Sequence, residues 1–198
     1  MAETRAARLV RAGRPRVTSR AELERLGFEL FEQKGFDDTT VDDIAAAAGI
    51  GRRTFFRYFA SKNDLVWGDF EGQLDRLREL LAAVPAHVPA MDALRTMIIE
   101  FNSFDEGTVP WHRRRMDLIL RVPALQADST LRFRSWRAVV TEFAAARAGL
   151  PPTALEPRLI GAAALAAAVT AYEMWLDDPG SDLPALLDAT LRRLAAGL

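Results

Sequence analysis

The sequence contains no cysteine and only two histidines. The missing cysteine excludes disulfides, thiolate metal sites and thiol nucleophiles, and it fits a reducing compartment such as the cytoplasm. His87 and His112 lie far apart in unrelated contexts, without the short His-x-x-x-His spacing of a metal-binding helix, and no glycine-rich phosphate loop is present. We therefore predict no catalytic residue, metal or cofactor. An enzyme is the alternative, and measurable turnover in a substrate screen would favour it.

Long apolar runs are also missing. The first residues, Met1 to Arg5, lack the apolar segment of a secretory signal. The most membrane-like stretch, Leu159 to Tyr172, is uncharged but rich in alanine and shorter than the roughly 20 residues that cross a bilayer. It predicts a buried helix, and we expect a cytoplasmic protein with no membrane partner.

Alternating β-branched runs are nearly absent, whereas helical spacing recurs along all 198 residues. We predict an all-α protein of about nine helices. Ser19 and Glu22 begin the first helix and Gly35 ends it, Thr40 begins the second, and the third runs from Gly51 to about Phe59. Six more are expected at about 62–83, 90–104, 109–121, 127–148, 154–177 and 182–196. The predicted domains are 1–62, a basic arm with three short helices, and 63–198, a helical bundle.

Positive charge is concentrated at the amino end. Residues 1–62 hold 12 Lys/Arg against 9 Asp/Glu, and the first 20 residues hold six arginines and one glutamate. A short basic arm before an ordered domain is typical of nucleic-acid binding, and a solvated tail is the equally weighted alternative. Arg14 and Arg16, on either side of Pro15, are the residues expected to enter a minor groove; diffuse attraction to phosphates would add no specificity.

The second and third helices have helix-turn-helix dimensions. Gly49 supplies the sharp turn, and Gly51 begins the recognition helix with little bulk near DNA. Arg52 and Arg53 would lie on the exposed first turn, where an arginine can bond guanine O6 and N7. A small helical hairpin with a solvated arginine pair is the alternative, but it leaves the glycine-flanked turn and the basic arm unexplained.

The neighbouring side chains extend this surface. Thr54 can bond phosphate or cover a thymine methyl group, and the Phe56 ring can reach a base or sugar. Tyr58 and Lys62 would meet the DNA backbone, whereas Phe55 and Phe59 are expected in the core.

The stretches Thr39–Ala45, Gly49–Gly51, Thr54–Phe59 and Ser61–Leu65 resemble the TetR family of bacterial transcription regulators. The resemblance covers about residues 19–66. It implies a homodimer that binds operator DNA and is released by a small ligand in the C-terminal domain. It also implies base contacts by Arg52, Arg53 and Phe56, and phosphate contacts by Thr40, Thr54, Tyr58 and Lys62. The family usually has tyrosine where this chain has Phe56, so a hydroxyl bond is lost there.

A narrower resemblance extends over most of the chain. The stretches Ile50–Phe59, Trp67–Phe70, His112–Met116 and Arg121–Leu125 are similar to the mycofactocin-system regulators within that family. This resemblance implies control of genes for a peptide-derived redox cofactor.

Aromatic residues on different helices of the second half could line a ligand cavity, as they would in a helical bundle. Each alone is more simply explained as core: Phe101, Phe104, Trp111, Trp136, Phe143 and Tyr172. The run His112–Arg115 could bind an anionic ligand such as the phosphates of a fatty acyl-CoA, our leading effector. Alternatively, Asp117 pairs with Arg113 and Arg121 along one helix.

The dimer face is predicted on the last two helices. Ala163, Ala167 and Ala171 recur beside Gly161, where another backbone could approach closely, and the last helix carries an apolar stripe of Leu183, Leu187, Leu191 and Leu194. Two such faces would form a four-helix bundle. We thus predict a ligand-responsive repressor on a palindromic operator; a non-specific architectural DNA-binding protein is the alternative.

Overall fold

A computed structural model describes residues 19–197, and this part of the chain contains ten α-helices and no strand. The helices are α1 (Arg20–Lys34), α2 (Val41–Ala47), α3 (Arg52–Phe55), α4 (Lys62–Trp67), α5 (Phe70–Ala83), α6 (Ala90–Phe101), α7 (Val109–Arg121), α8 (Pro123–Ala148), α9 (Leu155–Asp177) and α10 (Leu183–Ala195). The all-α prediction is confirmed.

The chain divides into two compact units, the first ending at Gly68 and the second beginning at Asp69. This division falls six residues after the predicted end of the first domain at 62. The single helix expected over 62–83 is wrong. Gly68 ends α4 with a φ of 62°, and Asp69 then caps α5 by accepting a hydrogen bond from the Gly72 amide. The short α4 accordingly belongs to the first unit.

The described part of the first unit contains four helices, and side chains cap three of them, α1, α2 and α4. Ser19 accepts from the Glu22 amide at the start of α1, and Ser61 accepts from the Asp64 amide at the start of α4. The full reciprocal capping box lies at α2, between Thr40 and Asp43. A core of aromatic and aliphatic side chains holds the helices together: Leu23, Phe28, Phe31, Phe36, Ile44, Phe55, Phe59 and Leu65.

The second unit is a bundle of longer helices around one apolar core. Side chains from α5, α6, α8, α9 and α10 form that core, which includes Leu77, Ile98, Val140, Trp175 and Leu187. Arg147, near the end of α8, donates to four carbonyls of the chain between α5 and α6 and so fixes that connection.

The helix α9 is the most apolar of the bundle. Its length and mean hydropathy of 1.5 would suffice for a membrane span, a test that core helices also pass. Gly161 of α9 lies so close to α8 that an added Cβ would stand 3.0 Å from the Arg137 carbonyl oxygen and closer still to Thr141. The small residue therefore serves the packing of α8 on α9 within one protomer.

Candidate functional site

The turn between α2 and α3 is built as the sequence predicted. Gly49 has a φ of 68°, a left-handed conformation that costs glycine little. The Ile50 amide donates back to the Ala45 carbonyl and closes the turn. Gly51 then takes the N-cap position of α3 with extended backbone. Two helices joined by a tight turn are thus present.

The recognition helix is shorter than predicted. The α-helix covers only Arg52–Phe55, and the expected extension to Phe59 consists of further turns. Amides of Arg57 and Tyr58 bond three residues back, to the carbonyls of Thr54 and Phe55. A tighter i to i−3 pattern commonly ends short helices. These turns bring the Phe59 ring into the core beside Phe55.

The three side chains expected at base edges all lie on the surface. Arg52 and Arg53 are exposed, and 43% of Phe56 is accessible although its ring also rests edge-on against Phe55. Arg52 pairs with Asp42 of α2 at 2.8 Å, and its guanidinium lies 5.4 Å from the centre of the Phe56 ring. Arg53 makes no ion pair with any residue between 19 and 197.

Among the residues expected at phosphates, Thr54 and Tyr58 are half-buried and Thr40 is exposed. The Thr40 hydroxyl donates to the Asp43 carboxylate at 2.6 Å and accepts from the Asp43 amide. A phosphate contact by this hydroxyl would therefore be made through a group that already caps α2.

Lys62 has a different environment from the one expected. Its ammonium donates to the carbonyls of Phe36 at 2.6 Å, Thr39 at 2.8 Å and Asp37 at 3.4 Å, and it lies over the Phe36 ring. Partial burial lowers the pKa of the Lys62 ammonium, despite nearby Asp37 and Asp38. Because an ammonium has three donors, this geometry favours a brace for the connection from α1 to α2 over the phosphate contact.

Arg20 is a second brace, which the sequence reasoning missed. Its guanidinium donates to the Tyr58 carbonyl at 2.5 Å and to the Gly68 carbonyl at 3.4 Å, and it lies over the Phe59 ring. It therefore fixes the chain that follows α3. In the sequence Arg20 is the last of the six arginines of the basic arm. The other arm residues, Arg14 and Arg16 among them, lie outside the described residues.

The aromatic residues proposed for a ligand do not share one environment. Trp136 and Tyr172 belong to the apolar core of the second unit, and Phe101 and Phe143 pack against it. Phe104 lies at the edge of that core, with its ring 4.0 Å from that of His112, which in turn contacts Tyr172, and Trp111 lies near the Arg115 guanidinium. The sequence therefore placed four of the six in or against one core.

A buried polar chain crosses that part of the bundle. Tyr172 of α9 donates to the Asn102 side-chain oxygen at 2.6 Å, so the His112 Nε2, at 2.7 Å, donates to the Tyr172 hydroxyl. Burial lowers the pKa of His112 to about 4, with Arg115 adding to the effect. Burial also raises the pKa of the Tyr172 hydroxyl. Both groups are therefore neutral near pH 7. Sequence reasoning missed Asn102, and it did not predict the hydrogen bond between His112 and Tyr172.

The basic run itself is divided among separate contacts. Arg113 donates to the Trp175 carbonyl and lies over the Trp175 ring. Asp117 pairs with Arg121 at 3.2 Å, as the helix-pair alternative expected, and Arg121 also reaches Asp177.

An open groove of about 390 Å³ lies between α8 and α9. Its lining includes three arginines and one glutamate: Arg134, Arg137, Arg158 and Glu142. None of the six aromatic residues predicted for the ligand lines it.

The leucine stripe predicted for the dimer face is wrong at three of its four positions, and the fourth residue, Leu194, is half-buried. Leu183, Leu187 and Leu191 are at most 3% exposed because they fill the core of their own protomer. Ala171 is likewise fully buried, and the backbone that approaches Gly161 is the chain's own α8. Large exposed apolar side chains lie instead at Leu131 of α8 and at Leu155, Leu159 and Met174 of α9.

Comparison with known families gives two matches. Residues 25–66 match bacterial regulatory proteins of the tetR family, and residues 88–198 match the MftR C-terminal domain. Over 188 residues, 95% of each chain, the sequence is 43% identical to a mycofactocin biosynthesis transcriptional regulator, MftR, of Mycobacterium tuberculosis. It is 29% identical to the HTH-type transcriptional regulator TcmR of Streptomyces glaucescens, over 85% of this chain and 77% of that one.

Solved structures share the fold at lower identity. FadR of Thermus thermophilus, in complex with lauroyl-CoA, is similar with a TM-score of 0.57 and 23% identity, over 91% of this chain and 95% of that one. The fatty acid degradation regulator FadR of Bacillus halodurans is similar with a TM-score of 0.66 and 18% identity, over 91% of this chain and 100% of that one.

Proposed function

The chain belongs to the TetR family of transcriptional regulators and carries an MftR-type C-terminal domain, and we propose that it is a homodimeric repressor of a palindromic operator. A lipophilic effector, a fatty acyl-CoA, would release it. One observation carries the proposal: the second helix of a helix-turn-helix presents Arg52 and Arg53, both exposed, on its first turn. In this motif that turn faces the base edges of the major groove.

The arginine pair supports sequence-specific binding. Each guanidinium can offer two parallel donors to guanine O6 and N7, a contact worth about 1–3 kcal/mol in discrimination between bases. Phe56, exposed beside Arg52, supplies an apolar face for a thymine methyl group or a sugar. Thr54 and Tyr58 remain our candidates for phosphate contacts, and Arg14 and Arg16 for the minor groove.

The outer faces of α8 and α9 form the dimer interface in this proposal. Only 33% of the most apolar window of α9 is buried inside the protomer. A helix so apolar and so little covered is typical of an interaction surface. Leu131, Leu155, Leu159 and Met174 would meet their symmetry mates, and two helices from each protomer would form an isologous four-helix bundle. A twofold dimer accounts for a palindromic operator.

Two observations support the acyl-CoA effector. A structural neighbour is described in complex with lauroyl-CoA. The second unit also carries aromatic side chains around an apolar interior, which is the chemistry of an acyl-chain site. Insertion of a chain there would separate groups now in contact, such as Tyr172 and His112.

The experiment is selection of bound genomic fragments by the purified protein, with and without lauroyl-CoA. We expect a small set of palindromic fragments that lauroyl-CoA releases, and free coenzyme A at the same concentration is the control. If neither lauroyl-CoA nor coenzyme A releases the DNA, the acyl-CoA effector is wrong, but the protein can still be a DNA-binding regulator. Selection of fragments without a common motif would favour the architectural DNA-binding protein, as would equal losses on operator and random DNA for Arg52→Ala and Arg53→Ala.

A further inference from the structure

Two carboxylates stand side by side at the start of α2, and they have different partners. Asp43 accepts from the Thr40 amide at 2.7 Å and from the Thr40 hydroxyl, and it pairs with Lys34 at 2.7 Å. The hydrogen bond from Lys34 and those from Thr40 hold the pKa of Asp43 well below its usual range. Asp43 therefore closes α2. Asp42 takes no part in this cap, since its carboxylate pairs with Arg52, ten residues further on.

The pair joins the two helices of the DNA-reading motif. Asp42 lies in the first turn of α2 and Arg52 begins α3, and their side chains are 64% and 59% exposed. The guanidinium thus lies between the Asp42 carboxylate of α2 and the ring of Phe56, the residue that follows α3. An ion pair so exposed contributes at most about 1 kcal/mol to folding. The contribution of this pair to folding is therefore too small to explain why an aspartate occupies position 42.

We infer that Asp42 is a specificity-determining residue that acts on DNA through Arg52. The inference rests on the proposed role of Arg52 at a base edge. One donor of the guanidinium is used by Asp42, and the remaining donors keep a fixed direction toward the groove. A side chain that is already oriented loses less conformational entropy when it bonds guanine. The affinity for DNA with guanine at that position is therefore higher.

The carboxylate also lowers the attraction of Arg52 for any phosphate. Non-specific binding depends almost entirely on cations that neutralise phosphates. A carboxylate at the same surface cancels one such cation and repels the phosphates themselves. Specificity is a difference between affinities, so a group that weakens the wrong complexes more than the right one raises it. Asp42 would thus act on both terms of that difference.

Arg53 provides the internal comparison. It is the next residue of α3 and equally on the surface, but it has no carboxylate partner within residues 19–197. If charge near the DNA were all that mattered, Asp42 would influence both arginines alike. If it acts through the observed pair, its influence is confined to Arg52.

The test is a pair of double-mutant cycles on DNA affinity. The dissociation constant is measured for a selected operator and for a random duplex of equal length, over a range of salt concentrations. Asp42→Asn removes the charge with almost no change of shape and leaves the Asp43 cap intact. We expect it to bind random DNA more tightly, with a salt slope steeper by about one, and the operator-to-random ratio to fall about tenfold. Asp42→Glu should restore part of the ratio.

The second cycle identifies the route. In an Arg52→Ala background, Asp42→Asn should no longer change the ratio, whereas in an Arg53→Ala background the about tenfold fall should persist. An unchanged ratio for Asp42→Asn alone overturns the inference, as does a fall that survives Arg52→Ala. If Arg52→Ala itself leaves the ratio unchanged, the proposed base-reading role of Arg52 fails first and removes the inference with it. Thermal melting of each variant verifies that the fold is intact.

Discussion

Different interactions stabilise each of the two units. In the first, α2, α3 and α4 have seven, four and six residues, too few to be stable alone. Their positions depend on caps and on cations that bond backbone carbonyls, namely Arg20 and Lys62. In the second, helices of up to 26 residues pack through an apolar core. Among the described basic residues of the first unit, Arg20 and Lys62 therefore bond backbone carbonyls, whereas Arg53 is exposed and makes no such bond.

The largest effect should come from leucines that look alike in the sequence. Leu187 is fully buried, so Leu187→Arg places a charge in the apolar core of the second unit. We expect the second unit to unfold, a loss of more than about 4 kcal/mol. Leu159 is 62% exposed on α9, and Leu159→Arg should keep the fold but give monomers. Circular dichroism and sedimentation measure the two outcomes. A folded, monomeric Leu187→Arg protein would restore the leucine stripe as the dimer face.

The difference between the units decided how well each could be predicted. Caps and turns depend on residues three to five positions apart, so Thr40 with Asp43 and Gly49 could be identified from the sequence. The partners of Lys62 lie 23 to 26 residues away, and those of Tyr172 lie 60 and 70 away. Such contacts exist only after folding. For the same reason the spacing of the leucines in α10 predicted an apolar stripe, but it could not show that the core of the same protomer covers that stripe.

The buried polar chain of the second unit should respond to acid. His112 has a pKa of about 4 in the folded protein, against about 6.5 when unfolded. The unfolded state therefore binds more protons between these values, and stability is lost as the pH falls from about 6.5 toward 4. The loss from this group should reach about 2.5 kcal/mol at pH 4.5.

Urea unfolding followed by tryptophan fluorescence, at pH 7 and at pH 4.5, measures this loss. His112→Gln removes the titrating imidazole. The difference between wild type and variant therefore separates the contribution of His112 from that of the carboxylates, which also titrate in this pH range. The variant should show the smaller loss on acidification. Equal losses in both proteins would mean that His112 is accessible to protons in the folded state.

A variant of Lys62 tests whether this residue stabilises the fold through backbone carbonyls or contacts a DNA phosphate. Lys62→Met leaves the Thr39 carbonyl without its donor and the Phe36 carbonyl with the Thr39 amide alone, at a cost of about 2 kcal/mol in unfolding free energy. Operator binding should weaken through this loss, with the salt slope unchanged. A phosphate contact would instead lower the slope by about one and leave stability intact. Arg57→Met, at an exposed cation of the same segment, is the matched control for charge.

The smallest effect on stability separates the two glycines of the turn. Gly49 has a φ of 68°, and alanine there should cost about 1 kcal/mol. Gly51 has a φ of −81° and open space around the position of a Cβ. Alanine restricts the unfolded chain but is a poorer N-cap than glycine, so Gly51→Ala should change stability by less than about 1 kcal/mol in either direction. Its effect would appear on DNA, where the added methyl group stands at the start of α3. Operator affinity that falls at unchanged melting temperature would indicate close approach of this backbone to DNA, and unchanged affinity would show that DNA binding does not require glycine at position 51.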